Sequence, residues 1–231
     1  MTTPLTIAID GPSGSGKSSV ARAVARRLGI GFVDTGATYR ALTWWCVERG
    51  IDLADTEAVA AAARELPLEL GTDPTSPRVL VDGTDVTEAI RTSEVSTAVS
   101  AVATNREVRP VLQQLQRDLM ASAAERTGGV VAEGRDITTV VAPDARVRVL
   151  LTASEEARLR RRSKELHGTA DAAAVEATRD QVVRRDRDDS TVSTFTEAAE
   201  GVVLVDTSDL DLDESIEAVL DVVAAADEPP A

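Results

Sequence analysis

The run Gly11-Pro12-Ser13-Gly14-Ser15-Gly16-Lys17-Ser18 fits G-x-x-x-x-G-K-[ST] at every defined position, and no other stretch restricts the possible folds so far. Such a loop needs a strand before it and a helix after it. Leu5–Ile9 supplies the apolar strand, and Lys17–Leu28 has helical spacing with Gly29 as its stop. The glycines let successive backbone N–H groups turn toward one centre and form an anion-binding nest. The helix N-terminus adds partial positive charge. In that setting residues Gly11 to Ser19 are the candidate ATP-binding segment. Lys17 reaches the β- and γ-phosphates, and the Ser18 hydroxyl ligates Mg²⁺. The chain has only two lysines, Lys17 and Lys164, and one of them falls on the motif position. A dinucleotide fingerprint fails, because its third glycine would fall on Ser19. A guanine-reading Asn-Lys-x-Asp is absent, since the single asparagine, Asn105, precedes Arg106. Val130-Val131-Ala132-Glu133 matches only in part the hydrophobic, metal-binding strand of a motor ATPase, and the chain is short for that class.

The rest of the chain alternates strands and helices. Strands are expected at Gly31–Val33, Val130–Ala132, Val147–Leu151 and Val202–Val205. Helices are expected at Ala37–Arg49, Thr56–Glu65, 93–103, 106–126, Glu155–His167, Ala172–Asp188 and Asp213–Ala225. That order implies an α/β fold with a parallel sheet. Leu66–Leu70 and Arg78–Asp82 read as short strands around the turn-rich Gly71–Pro77, so residues 66–92 form a small β-containing insertion. The tail from Asp227 is expected to be disordered. Aromatics make up 2% of the chain, so Val, Leu, Ile and Ala must build the core. Cys46 alone offers no disulfide and no cysteine metal site, and reads as a small buried hydrophobe. No leader or membrane span is read, which implies a cytoplasmic protein.

A net charge of −14 opposes binding to nucleic acid or anionic lipid. Phosphate substrates are anions too, so positive charge must be concentrated locally. It is: Arg158, Arg160, Arg161, Arg162, Lys164, Arg179, Arg184, Arg185 and Arg187 crowd one segment. Such a row can close over transferring phosphates and exclude water, or can be a solvated helix face laced with acids. Two further segments are candidates for an acceptor site. Asp34-Thr35-Gly36-Ala37-Thr38-Tyr39-Arg40 leaves a strand and opens a helix, with Arg40 one turn in. Read blandly, Asp34 is only a helix cap. Glu133-Gly134-Arg135-Asp136 follows a strand, where ligands of open α/β sheets bind. Its Arg–Asp pair could grip a phosphate and a base amino group, or be a surface ion pair.

Taken together, these segments resemble the bacterial cytidylate kinase family over nearly the whole chain. The matching pieces are Ile9 to Gly14 leading through the loop, Asp34 to Arg40, Asp82-Gly83-Thr84-Asp85-Val86-Thr87, Ile90-Arg91, Glu133 to Asp136 and Arg185-Asp186. The resemblance implies a P-loop kinase with a five-stranded parallel sheet, a nucleoside-monophosphate-binding insertion and an arginine-rich helical lid. It implies a core of 1–35, 104–153 and 192–226, a monophosphate-binding region of 36–103 and a lid of 154–191. The implied reaction is ATP plus CMP or dCMP giving ADP plus CDP or dCDP, with Mg²⁺ and a monomeric chain. Ser100, Arg109 and Asp136 would then read cytosine, and Thr35, Gly36 and Tyr39 would also bind the substrate. Arg40 and Arg135 would hold the CMP phosphate, and Asp189 would touch the ribose. Arg158, Arg161, Arg162 and Arg185 would line the lid. Asp34 or Glu133 would hold metal-bound water. The chain departs from the family pattern at Val192, where an arginine is expected, and Arg187 or Arg184 is a candidate replacement. Glu133 stands where Asp is common. UMP, dTMP or AMP as acceptor, and a nucleotide-dependent switch, are the alternatives.

Overall fold

A computed structural model describes residues 4–227. Five parallel strands form the central sheet in the order β2-β6-β1-β7-β8. They are β1 (Leu5–Asp10), β2 (Gly31–Asp34), β6 (Gly129–Gly134), β7 (Val147–Thr152) and β8 (Val203–Asp206). The helices are α1 (Lys17–Leu28), α2 (Thr35–Glu48), α3 (Thr56–Arg64), α4 (Ser93–Ala103), α5 (Val108–Thr127), α6 (Glu155–His167), α7 (Ala172–Asp189) and α8 (Leu212–Asp227). This is the α/β sheet that the alternating pattern implies.

Strand periodicity sorts the core into two layers. Ile7 and Ile9 of β1 pack with Val20 and Val24 of α1 and with Val219 and Val223 of α8. Ala8, between them, faces the other way, onto Met120 and Ala123 of α5 with Val33, Ala132 and Ile137. Both faces of the sheet are therefore covered, which explains why its strands read as continuous apolar runs.

The insertion folds as a small antiparallel sheet of β3 (Leu68–Leu70), β4 (Val79–Val81) and β5 (Thr84–Asp85). Val79, Val81, Val86 and Ile90 pack it onto Ala37 and Ala41 of α2. Strand β5, of two residues, lies within the 66–92 insertion beyond the two strands read from sequence. Other differences sit at element ends. α2 begins at Thr35 because the Asp34 side chain caps it, accepting the Ala37 N–H at 3.0 Å. A π-helical turn at Ile137–Val141 follows β6, and helix α8 continues to Asp227. Residues 228–231 of the expected tail lie outside the described residues.

The strand order places β1 between β6 and β7. The loops leaving the carboxyl ends of β1, β2 and β6 therefore converge, and the segment after β7 enters α6 and α7. Asp10 of β1 is in register with Gly134 of β6, and Glu133 with Asp34 of β2. The crevice above these residues is where ligands of open α/β sheets bind.

Candidate active site

The loop after β1 folds as a nest. Gly14 and Gly16 adopt φ of 77° and 89°, the left-handed region where glycine is least strained. Gly14 is also held by space, because a Cβ there would lie 2.5 Å from the Arg158 carbonyl oxygen of α6. The Lys17 ammonium reaches the Pro12 carbonyl at 3.5 Å. Burial lowers its pKa, and the nearby Glu133 carboxylate opposes that shift. A phosphate bound in the nest would favour the charged ammonium in the same way. Ser18 Oγ donates to Glu133 Oε1 at 2.5 Å. Burial, then the neighbouring Asp34 carboxylate, pushes Glu133 up to about 7, with Lys17 acting in the opposite sense. Asp34 Oδ2 in turn accepts from Arg91 at 3.1 Å.

One cavity of about 210 Å³ joins this loop to the acceptor segments. Lys17, Ser18 and Ser19 of the loop line it together with Arg40, Arg135, Asp136, Arg185 and Asp189. Arg40 Nη1 donates to Ser96 Oγ at 2.9 Å. Asp136 Oδ2 accepts from Arg109 Nη2 at 2.6 Å and from Gln113 Nε2 at 2.8 Å. The pair is buried rather than a surface ion pair, with side-chain exposures of 13% and 7%. Burial first, then the positive charges of Arg40 and Arg135, pull Arg185 down to about 9. Asp189 opposes that shift, and a bound phosphate would oppose it in the same way.

Thr35, Gly36, Tyr39 and Arg162 also line this cavity, as do Asp34 and Glu133. Ser13, Gly14 and Gly16 represent the loop there, while Gly11, Pro12 and Ser15 do not reach the wall. Three further expected site residues lie off the cavity wall. Ser100 is not on the wall, which α4 builds from Val99 and Ala103. Arg161 does not line the cavity. It donates to the carbonyls of Ser15, Thr207 and Leu210 and to the Thr207 hydroxyl, tying α6 to the underside of the loop. Arg158 bonds the Ser13 carbonyl and Asp186 and does not line the cavity. Arg91, given no role from sequence, does line it.

At the departure from the family pattern, Val192 lies on the cavity wall. Neither Arg187 nor Arg184 reaches that wall. Arg187 pairs at 3.5 Å with the adjacent Asp188, its side chain 76% exposed, and Arg184 is exposed. Arg187→Ala is therefore expected to leave kcat and KM within about twofold of wild type, as for an exposed pair of small worth. A larger loss in steady-state assays would show that Arg187 swings inward during turnover.

The family model described as cytidylate kinase matches residues 7–225. The chain belongs to the cytidylate kinase family. A curated relative from Cutibacterium acnes named cytidylate kinase is 52% identical, covering 96% of this chain and 97% of its own. One of the same name from Streptomyces avermitilis is 51% identical over 94% of this chain and 91% of its own. Among solved structures, a protein from Thermus thermophilus superposes with a TM-score of 0.50 at 20% identity, covering 99% of this chain and 100% of its own, which supports the fold. Membership in this family makes the chain a nucleoside monophosphate kinase.

Proposed function

We propose that this chain transfers the γ-phosphoryl group of ATP to CMP or dCMP, giving ADP and CDP or dCDP. The observation that carries the reading is one cavity lined both by the phosphate nest around Lys17 and by Arg40, Arg135 and Arg185, together with the buried Asp136–Arg109 pair. The nest and Lys17 hold the donor phosphates. Arg40, Arg135 and Arg185 hold the acceptor phosphate in line with them. Two anions are thereby aligned and their repulsion is offset, which is most of what phosphoryl transfer requires. The acceptor phosphate is already a nucleophile, so no side chain has to remove a proton from it. Asp136 accepts from the amino group of cytosine, and Arg109 donates to a ring acceptor. Uracil presents a carbonyl where cytosine has the amino group, so the same carboxylate disfavours UMP.

Residues for a divalent cation are present. Ser18, Glu133 and Asp34 offer oxygen donors, and Glu133, raised first by burial and then by the Asp34 carboxylate, stands beside Asp34 at the mouth of the loop. Among the described residues no group of three His, Cys, Asp or Glu forms a metal cage. That suits Mg²⁺ held mainly by phosphate oxygens and water, where it would neutralise charge on the transferring group. The reading assigns residues 36–103 to the acceptor and 154–191 to a lid. Among the described residues no helix is long and apolar enough to cross a membrane.

The test is a coupled ADP assay with CMP, dCMP, UMP, dTMP and AMP in turn, and with no acceptor. CMP and dCMP are expected to lead the panel. A flat panel, or equal ADP release without acceptor, would point to another monophosphate kinase or a nucleotide switch and would end this reading.

A further inference from the structure

Asp186 of α7 carries a carboxylate to which the mechanism above gives no part. Its Oδ1 accepts the Ser13 backbone N–H at 3.1 Å and Arg135 Nη1 at 2.9 Å, and its Oδ2 accepts Arg158 Nη1. The donors come from three places: the phosphate loop, the segment after β6, and α6. Arg158 Nη1 also donates to the Ser13 carbonyl at 2.9 Å, which closes a ring of contacts around Ser13. Arg135 is held at further points, by Asp189 on Nε at 3.0 Å and by the Phe195 ring, 4.6 Å from centroid to guanidinium carbon. The side chains of Arg135, Arg158 and Asp186 are 13%, 14% and 15% exposed, so water competes little for these charge-assisted bonds.

An arginine has several rotamers to lose, at about 2 kcal/mol of entropy. Arg135 also stands among like charges that depress Arg185. Left to themselves these guanidinium groups would splay apart. A central carboxylate holds them before any phosphate arrives.

We propose that Asp186 is a positioning residue for phosphoryl transfer, fixing Arg135 and Arg158 against the third residue of the phosphate loop. The arginine assigned to the acceptor phosphate and the loop assigned to the donor then keep one relative placement. Asp186 acts through these groups, and the inference rests on the kinase reading above.

The test compares wild type, Asp186→Asn, Arg158→Gln and the double variant with saturating ATP and CMP. Asp186→Asn keeps size and an accepting oxygen for Ser13 but removes the charge. Its kcat is expected to fall about 10- to 100-fold, the scale of a small misplacement of reacting groups. The KM for ATP and the melting temperature should stay near wild type, a split that a general structural defect would not give. The double variant should lose little more than the worse single variant, because both break one ring. Unchanged kcat, or losses that multiply, would overturn the proposal. So would tighter binding of pyrophosphate with kcat retained, since Asp186 would then merely plug the site. If Asp186→Asn does not fold, Asp186→Glu keeps the charge but displaces it. The same kcat loss is expected there, and full activity would overturn the proposal. A wild type silent toward every monophosphate would sink the kinase reading instead.

Discussion

Lys17→Ala is expected to lower kcat by on the order of a thousandfold, the scale for removing one preorganised charge from a phosphoryl or acyl transition state. The only other lysine, Lys164, lies on α6 and is exposed, so no second ammonium is at hand. The folded chain gains little from this side chain. Burial lowers its pKa, and its ammonium makes a long contact of 3.5 Å to the Pro12 carbonyl. Its charge is held ready for a ligand. The melting temperature of Lys17→Ala should therefore match or exceed that of wild type while activity collapses, as expected where a site trades stability for function. Truncation also takes from Glu133 the positive neighbour that holds its pKa down. Activity within tenfold of wild type would remove Lys17 from the mechanism. Equal loss of folding and activity would make it a structural residue.

The part of the site that could be read in advance is the part written in contiguous residues. The loop needs glycine, lysine and serine at fixed spacing, and its flanking strand and helix are local patterns. The sheet follows from alternation, since strands that alternate regularly with helices favour parallel pairing. Contacts of the arginines are a different matter, because a guanidinium can serve a phosphate, a carboxylate or a backbone carbonyl, and sequence names no partner. Some of this was nevertheless encoded. A helix advances about 100° per residue. Arg161 and Arg162 therefore cannot share a face, and only Arg162 lines the cavity. On α7 the buried Thr178, Val182 and Asp189 define a stripe that includes Arg185 and Asp186 at helical spacing. Arg184 and Arg187 fall off it, which is why neither lines the cavity beside Val192. The partnership of Asp186 with Ser13 spans 173 residues and had no local signal at all.

Asp136→Ala should strike acceptor recognition and spare donor binding. Its carboxylate accepts from both Arg109 and Gln113 on Oδ2, which leaves Oδ1 as the oxygen for a base amino group. Losing a buried bond to a charged group costs about 1.5–3 kcal/mol. At about 1.4 kcal/mol per tenfold, kcat/KM for CMP should drop roughly 10- to 100-fold. UMP gains nothing from an acceptor at that position, so its kcat/KM should fall far less and the CMP-to-UMP ratio should shrink. ATP affinity measured by calorimetry should hold, because Asp136 lies beyond the nest, past the carboxyl end of β6. The substitution also strands Arg109, which keeps a bond to the Ala103 carbonyl at 3.2 Å. Asp136→Asn separates the two effects. It keeps an oxygen for Arg109 and weakens the grip on an amino group, so discrimination should fall with less damage to folding. If CMP and UMP lose activity in the same proportion in both variants, Asp136 is a scaffold for Arg109 and base selection lies elsewhere in the cavity.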